Sequence, residues 1–403
     1  VPAPLLLDLS HTCHTRARTG IQRVSRALWR ELGAGARPVT RDPYARAWRP
    51  LAAWEEANLT APGSAGRRGA RWPWSARARG WLAAAWRGGR PPTRDRLRPN
   101  SGLLVPEVFS PAVAAALPGL LAAADGPAVA VFHDAIALQR PDFSPAGTVA
   151  RFPAYLLELL SFDGVAAVSE ASRDALCAFW EWQGIRDHPP VAAIPLGVEV
   201  PAAAPAAAPR EGPLEVLCVG SLEGRKNHFA LLEAAERLWR EGVAFRLRLI
   251  GIVEPATGAA AARRVGELQA AGFPLIHEPG AGDAVVAAAY AACAFTVYPS
   301  RVEGFGLPVL ESLAHGKPCV CAARGALGET ARGGGCLALD DPGPEALAAG
   351  LRRLLTDSSA LTALAAAARA RPIRRWAEHA ADLVAWHGGL ARRRRDRPPF
   401  RLP

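Results

Sequence analysis

Short, almost continuously apolar runs alternate along the chain with longer stretches of helical spacing. The runs are LLLDL (5–9), LLV (103–105), AVAVF (128–132), VAAV (165–168), LEVLCV (214–219), FRLRLI (245–250), AFTVY (294–298) and PCVCA (318–322). A strand needs such a run only when both of its faces are buried, so the alternation predicts parallel, doubly wound sheets with helices on either side. Between the two series lies PAAAPAAAPREGP, residues 201–213, whose proline and alanine content suits an exposed linker. The pattern predicts an α/β protein of two domains, residues 1–200 and 214–375, followed by a C-terminal helix and basic tail over 376–403. Ligands of such sheets bind outside the carboxyl ends of the strands, so the cleft between the domains is the expected site. Residues 41–100 carry many Arg, Trp, Gly and Pro with little periodicity and are expected to be an irregular basic insertion in the first domain.

A length of 403 residues agrees with two cores. No uncharged run of about twenty apolar residues occurs, so the chain is not expected to span a membrane. The opening VPAPLLLDLSH has no basic start and no small-residue cleavage site, and it reads as a buried strand of a cytoplasmic protein. Seven cysteines, odd in number and without a C-x-x-C pair, exclude a disulfide framework and a zinc ribbon. The nearest approach to a metal cluster is His11, Cys13 and His14 in HTCH, which lacks a second pair of ligands, and no metal site is expected.

Charge changes the picture more. The net charge of +11 is concentrated in residues 1–100, where 19 Arg face 6 Asp or Glu, while the remaining residues carry 29 basic and 31 acidic groups. A basic end of this kind suits an anionic partner: a membrane surface, a polyphosphate carrier or nucleic acid, with docking to an anionic membrane the sharper use of the charge. No helix-turn-helix, RNP-type aromatic pattern or zinc finger accompanies it, so nucleic acid is not expected. Of the 48 basic residues only Lys226 and Lys317 are lysine.

Two stretches offer chemistry. In VLCVGSLEGRKNHFALLEAAERL a strand ends at Val219, a turn begins at Gly220, and Arg225 and Lys226 precede a helix with apolar residues at Phe229, Leu232, Ala235 and Leu238. Two cations beside a helix N-terminus form a place for a diphosphate. In YPSRVEGFGLPVLESLAHGKPCVCA (298–322), Gly304 and Gly306 permit close backbone approach and Pro308 opens a helix that should run to about His315. Glu311, one turn in, can accept hydrogen bonds from a vicinal diol such as a ribose, and Glu303 lies nearer the group that an anion carries. Neither a G-x-S-x-G nor an H-E-x-x-H motif is present, which disfavours hydrolase and protease chemistry.

VGSLEGRKN, the 298–322 stretch and TGIQRV (19–24) together resemble the retaining glycosyltransferases of the two-Rossmann-domain architecture called GT-B, family 4, with Glu303 and Glu311 matching the E-x7-E motif. The resemblance continues through FHDAIALQRP (132–141), VAAVSEASRDAL (165–176), IPLGVE (194–199) and LDDPGPEALAAGLRRLL (339–355). It implies two Rossmann-like domains facing a central cleft. It also implies that Arg225 and Lys226 bind the donor diphosphate, that Glu311 holds the nucleotide ribose, and that Glu303 contacts the transferred sugar. Gly304, Phe305, Gly306 and Leu307 would position sugar and phosphate, His133 would stand across the cleft, and Gly220 and Gly20 would pass close to the diphosphate. Arg23 would lie on the acceptor side. Departures from the family pattern are Ser221, where many relatives have Arg, and Gly224 in place of a proline.

The implied reaction moves a hexose, mannose first, from GDP-mannose or a UDP-hexose to a glycan or lipid-linked acceptor of surface polysaccharide synthesis. The anomeric configuration is kept, and neither cofactor nor metal is required. Because negative charge gathers on the departing diphosphate, Arg225, Lys226 and the helix N-terminus at Pro308 are the groups expected to stabilise it. The competing reading is a non-catalytic protein of the same fold that binds an anionic membrane or polyanion through its basic first hundred residues.

Overall fold

The computed structural model describes residues 3–61, 71–86, 97–201 and 212–393. Most of the 201–213 linker and the basic tail beyond Arg393 therefore lie outside the described residues. In the first domain the strands are β1 (Leu5–Asp8), β2 (Ala36–Asp42), β3 (Ala47–Pro50), β4 (Leu103–Val105), β5 (Ala128–Phe132), β6 (Gly164–Ala167) and β7 (Val191–Ala193). They form one sheet of order β3-β2-β1-β4-β5-β6-β7, parallel except for the β2–β3 pair. The second sheet contains β8 (Leu214–Val219), β9 (Phe245–Ile250), β10 (Leu275–Glu278), β11 (Phe295–Tyr298), β12 (Cys319–Ala322) and β13 (Cys336–Leu339). Its order is β10-β9-β8-β11-β12-β13, parallel throughout. In each sheet the winding reverses beside the first strand, which leaves a crevice at the carboxyl ends of β1 and β4 and of β8 and β11.

The helices that matter to the site are α1 (Gly20–Leu32), α2 (Ala53–Thr60), α3 (Trp74–Trp86), α4 (Pro111–Ala123), α5 (Ile136–Gln139), α6 (Ala146–Glu158), α7 (Glu170–Trp182), α8 (His228–Arg240), α9 (Ala259–Ala270), α10 (Asp283–Ala292), α11 (Leu307–Ala314), α12 (Gly325–Ala331), α13 (Pro344–Thr356), α14 (Ser358–Ala370) and α15 (Trp376–Gly388). The apolar runs are buried because helices cover both faces of each sheet. Leu6, Val105, Ala130 and Phe132 point into one cluster, and Leu5, Leu7, Leu104 and Val131 into another on the opposite face. The second domain packs Val216, Leu232, Leu247 and Val297 likewise. Leu307 and Leu310 of α11 join the cluster of Leu9, Val24 and Leu28, so the domains share apolar contact as well as a cleft.

Residues 41–100 depart from expectation. Instead of an irregular insertion, their described part holds the β2–β3 pairing, α2 and α3. What organises them is a charged and aromatic knot rather than an apolar stripe. Arg49 pairs with Glu55 (2.7 Å) and Asp42 (2.9 Å), Trp54 and Trp72 pack on the His14 ring, and Tyr44 packs on Trp72. Such a knot has no helical or strand period to read. Helix α15 then returns to the first domain, where the His387 ring bonds the Pro127 carbonyl (2.8 Å) and Trp376 and Leu383 enter its core.

Candidate active site at the domain cleft

After β8, the chain passes Gly220, whose N–H donates to the Ile250 carbonyl (2.8 Å), and enters a single 3-10 turn over Gly224–Lys226. Asn227 follows at φ 57°, a left-handed residue that starts α8, and its amide donates to the Pro342 carbonyl (2.7 Å). This turn holds both cations at the carboxyl edge of the sheet. The Arg225 guanidinium lies 2.5 Å from Glu303 and 2.7 Å from Glu223. Burial works against its charge, but Glu303 and Glu223 overcome that and hold it above its ordinary value. The Lys226 ammonium is 5.6 Å from the centre of the Tyr298 ring and 3.9 Å from Glu223. Of the four apolar residues expected along α8, Leu232, Ala235 and Leu238 are buried, whereas Phe229 is partly exposed.

The second half of the site hangs from β11. Tyr298 donates its phenol proton to Glu303 Oε1 (2.7 Å), and the Ser300 hydroxyl donates to the same oxygen (2.9 Å). With Arg225 on Oε2, both Glu303 oxygens are occupied. Burial alone would raise the Glu303 carboxyl, but Arg225 and then Lys226 outweigh it and leave the group below the ordinary carboxylate range, ionised. Gly306 turns the chain at φ 101°, where a Cβ would also strike Leu327 at 2.7 Å, and Pro308 fills the first turn of α11. The Phe305 carbonyl accepts from the Thr330 hydroxyl (2.7 Å); Pro308 carries no N–H and the Val309 N–H donates back to the Gly306 carbonyl (3.0 Å), so of the first-turn residues only Leu307 has an N–H outside the helical ladder. The helix ends at Ala314, one residue short of the expected limit, with Gly316 left-handed at φ 66°.

Glu311, one turn into α11, reaches the other domain. It pairs with Arg23 on α1, and the Tyr290 phenol lies 3.4 Å from its second oxygen. Glu311 holds the Arg23 guanidinium above its ordinary value despite burial. Gly20 is the first residue of α1, where the Thr19 N–H is capped by the Gln22 side chain (3.0 Å), so the helix start lies one turn from Arg23. Arg23 thus faces the second domain's glutamate in this structure, a placement the sequence reading did not contain.

His133 follows β5. Its Nε2–H donates to the Pro106 carbonyl (2.7 Å), which fixes the tautomer and leaves Nδ1 as an acceptor, and burial pushes its pKa down. Gly304 presses against this residue: a Cβ there would lie 2.1 Å from the His133 carbonyl oxygen and 3.0 Å from Asp134 Cβ. Its glycine identity is therefore explained first by contact between the domains. The Gly304 carbonyl accepts from Ser169 (2.7 Å) and Ser172 (3.2 Å), and Ser169 also caps α7 through the Ser172 N–H. Glu329 accepts the Glu170 (2.9 Å) and Ala171 (2.7 Å) N–H groups at the same helix start. These contacts close the cleft around a cavity of about 220 Å³ lined by Asp134, Gln139, Ser172, Arg301, Glu303 and Arg324 among others.

Asp134, Tyr298, Glu223, Ser169 and Glu329 were missed as site residues. Asp134 sits in the same FHD segment as His133 and is held above its ordinary value chiefly by burial, against the pull of Arg225. Glu223 precedes the two cations by two and three positions and could have been found as their counter-charge. The metal question also has a different shape. His11 bonds Gln22 (3.2 Å), while Cys13, His14 and Glu55 lie together with ligand atoms within 4.8 Å. Arg49 covers both Glu55 oxygens at 2.7 and 2.9 Å, and His14 Nε2 lies 2.8 Å from one of them, so this group is neutralised within the chain. No described helix is long and apolar enough to cross a membrane.

Comparison with known proteins finds a family match for part of the chain. Residues 202–371 match the family described as glycosyl transferases group 1. The serotype-specific mannosyltransferase WbdA of Escherichia coli is 26% identical over 334 residues, covering 76% of this chain and 37% of that protein. The O-antigen chain mannosyltransferase B of Escherichia coli is 26% identical over 265 residues, covering 58% of this chain and 62% of its own length. The chain thus spans less than two thirds of either relative. Anabaena Alr3699/HepE, solved with UDP and glucose, superposes with a TM-score of 0.67 at 15% identity, covering 96% of this chain and 100% of that one. The stretch 202–371 thus matches the glycosyl transferases group 1 family, within a chain whose fold is the two-domain GT-B fold.

Proposed function

We propose that this protein is a retaining glycosyltransferase that moves a hexose from a nucleotide diphosphate sugar to a glycan or lipid-linked acceptor in surface polysaccharide synthesis. Mannose from GDP-mannose is the first choice of donor and a UDP-hexose the second. The observation that carries the reading is the convergence of Arg225, Lys226, Glu303 and Glu311 at the carboxyl ends of β8 and β11, facing the first domain. The mannosyltransferase relatives support the donor sugar.

The roles follow from the geometry. Arg225 is oriented by Glu303 and Glu223 before any ligand arrives, and Lys226 adds a second positive charge on the same turn. Together with the Leu307 N–H that opens α11, they favour the charge that builds on a departing diphosphate. That set supplies the stabilisation without a metal. Glu311 exchanges Arg23 for the ribose hydroxyls when the nucleotide enters. Glu303 is ionised, but its oxygens already accept from Tyr298, Ser300 and Arg225, so it serves as a sugar contact and not as a nucleophile. Retention then proceeds at the front face, with the leaving phosphate taking the acceptor proton.

The test is nucleotide release from a panel of GDP- and UDP-sugars, with Lys226→Ala and Glu311→Ala as controls. Release from GDP-mannose that both substitutions suppress is the expected result. Release unaffected by either rejects the site, and no release from any donor, with or without added polysaccharide fragments, favours the non-catalytic reading.

A further inference from the structure

We propose that α3 is an interfacial helix that seats the first domain on an anionic lipid bilayer. The idea rests on the transferase reading only for its purpose, access to a lipid-linked acceptor. The helix, WSARARGWLAAAW, leaves Trp74 70%, Trp81 49%, Leu82 63% and Trp86 93% exposed. Scattered exposed apolar side chains are ordinary, but three indoles and a leucine within 13 residues form a patch. At about 100° per residue, Trp81, Trp74, Ala85, Ala78, Leu82 and Trp86 fall within an arc of about 140°, with Ser75 its one polar member. Arg77 and Arg79 stand just beyond its two edges, and no acidic residue occurs in the helix. The opposite side, Ala76 and Gly80, is buried against the protein, where Gly80 lies over Tyr44. An apolar arc facing outward between flanking arginines, with indoles at its margins, is the arrangement that lies in a headgroup layer.

Charge selects the occupant. Residues 67–98 contain ten Arg and one Asp, in a chain whose net charge is already +11, and Arg71, Arg77, Arg79 and Arg98 of them lie among the described residues. A second copy would bring the same Arg77 and Arg79 to the contact, whereas an anionic lipid surface complements them. The helix is also tied to the cleft. Arg77 Nε donates to the Trp72 carbonyl (3.1 Å), Trp72 packs on His14 at 4.2 Å, and the Arg71 N–H donates to the His14 carbonyl (2.9 Å). His14 closes the 3-10 turn Thr12–His14 that follows β1, at the carboxyl edge of the first sheet. A bilayer under α3 would therefore meet the protein on the cleft side of this domain.

The experiment uses the full chain and vesicles of phosphatidylcholine, alone or in equal mixture with phosphatidylglycerol. Co-sedimentation with the mixed vesicles, a blue shift of tryptophan emission and quenching by brominated lipid are expected, with little binding to the neutral vesicles. The triple variant Trp74→Ser, Trp81→Ser, Trp86→Ser should lower binding by ~10-fold or more. Trp86→Ser alone should lower it ~3-fold at an unchanged melting temperature, which separates lost contact from lost folding. Equal binding to both vesicle types, or equal binding by wild type and triple variant, overturns the proposal. So does a concentration-dependent dimer that the triple variant abolishes, which would assign the patch to a second copy. Nucleotide release is measured separately: vesicle binding without release keeps this inference and removes the transferase reading, and release without vesicle binding does the reverse.

Discussion

Gly304→Ala isolates the closed cleft from every other property of the site. The new methyl carbon would start 2.1 Å from the His133 carbonyl oxygen, whereas ordinary contact begins near 3.4 Å, so the surfaces must part by about 1.3 Å. The obstacle is backbone on one side and a Cβ on the other, and neither can swing away as the end of a long side chain could. The same movement stretches the Ser169 and Ser172 hydrogen bonds to the Gly304 carbonyl, now 2.7 and 3.2 Å. A displacement of about 1 Å between reacting groups costs about 100-fold in rate. Gly304→Ala should therefore reduce kcat/KM for nucleotide-sugar turnover by about that factor, read by nucleotide release. The clash lies between domains and not within a core, so the melting temperature should move by only a few degrees. Gly282→Ala, where a Cβ would meet nothing within 4 Å, should be silent. Wild-type kcat/KM in Gly304→Ala would refute the reasoning.

Other expectations follow from single groups. Glu311→Ala removes an acceptor that makes up to two charge-assisted bonds to a diol, and calorimetric titration with GDP should show affinity reduced about 10- to 100-fold. Asp8 is pushed up to about 7, first by burial and then by Glu107, so the folded state holds a proton that the unfolded chain releases near pH 4. Its stabilising effect is complete below the unfolded pKa and is lost as pH rises through 7. Wild type should lose a few kcal/mol between pH 4 and 8, at most about 4, and Asp8→Asn should flatten that slope in denaturant melts. Glu55 behaves oppositely: burial is overcome by His14 and Arg49, which hold it down to about 2, so its contribution is present above the ordinary carboxylate pKa and vanishes as pH falls toward 2. Glu55→Ala at neutral pH should cost about 3 kcal/mol in a urea melt by stranding Arg49 and His14, and EDTA should leave the wild-type melting temperature unchanged.

What could be read beforehand depended on how far apart the partners lie in the chain. The eight apolar runs all became strands because burial on both faces leaves a mark on most of their residues, Arg246 and Arg248 of β9 excepted. Strands β2, β3, β7, β10 and β13 leave no such mark: β7, β10 and β13 are short with largely half-exposed residues, and β2 and β3 carry arginine and proline in place of an apolar run. The turn carrying Arg225 and Lys226 and the start of α11 were visible because proline, glycine and charge act locally. Arg23 to Glu311, Ser169 to Gly304 and Glu170 to Glu329 join residues 288, 135 and 159 positions apart. Each residue had a sufficient local explanation as a solvated arginine, an N-cap or a helix-end carboxylate, and nothing local pointed to a partner in the other domain.

The return of α15 to the first domain bears on how the cleft can move. The chain passes between the domains twice, once after Glu199 and again before Trp376, and the two passages touch. The Val198 N–H donates to the Arg374 carbonyl (3.0 Å), Val198 bridges Arg375, and a Cβ on Gly197 would lie 2.2 Å from the Arg375 carbonyl carbon. A single connector would act as a tether and let one domain tumble freely about the other. Two connectors laced side by side act as a door hinge, allowing swing about one line and resisting twist and slide. Opening and shutting then retrace one path, so the two halves of the candidate site meet in the same register on every cycle.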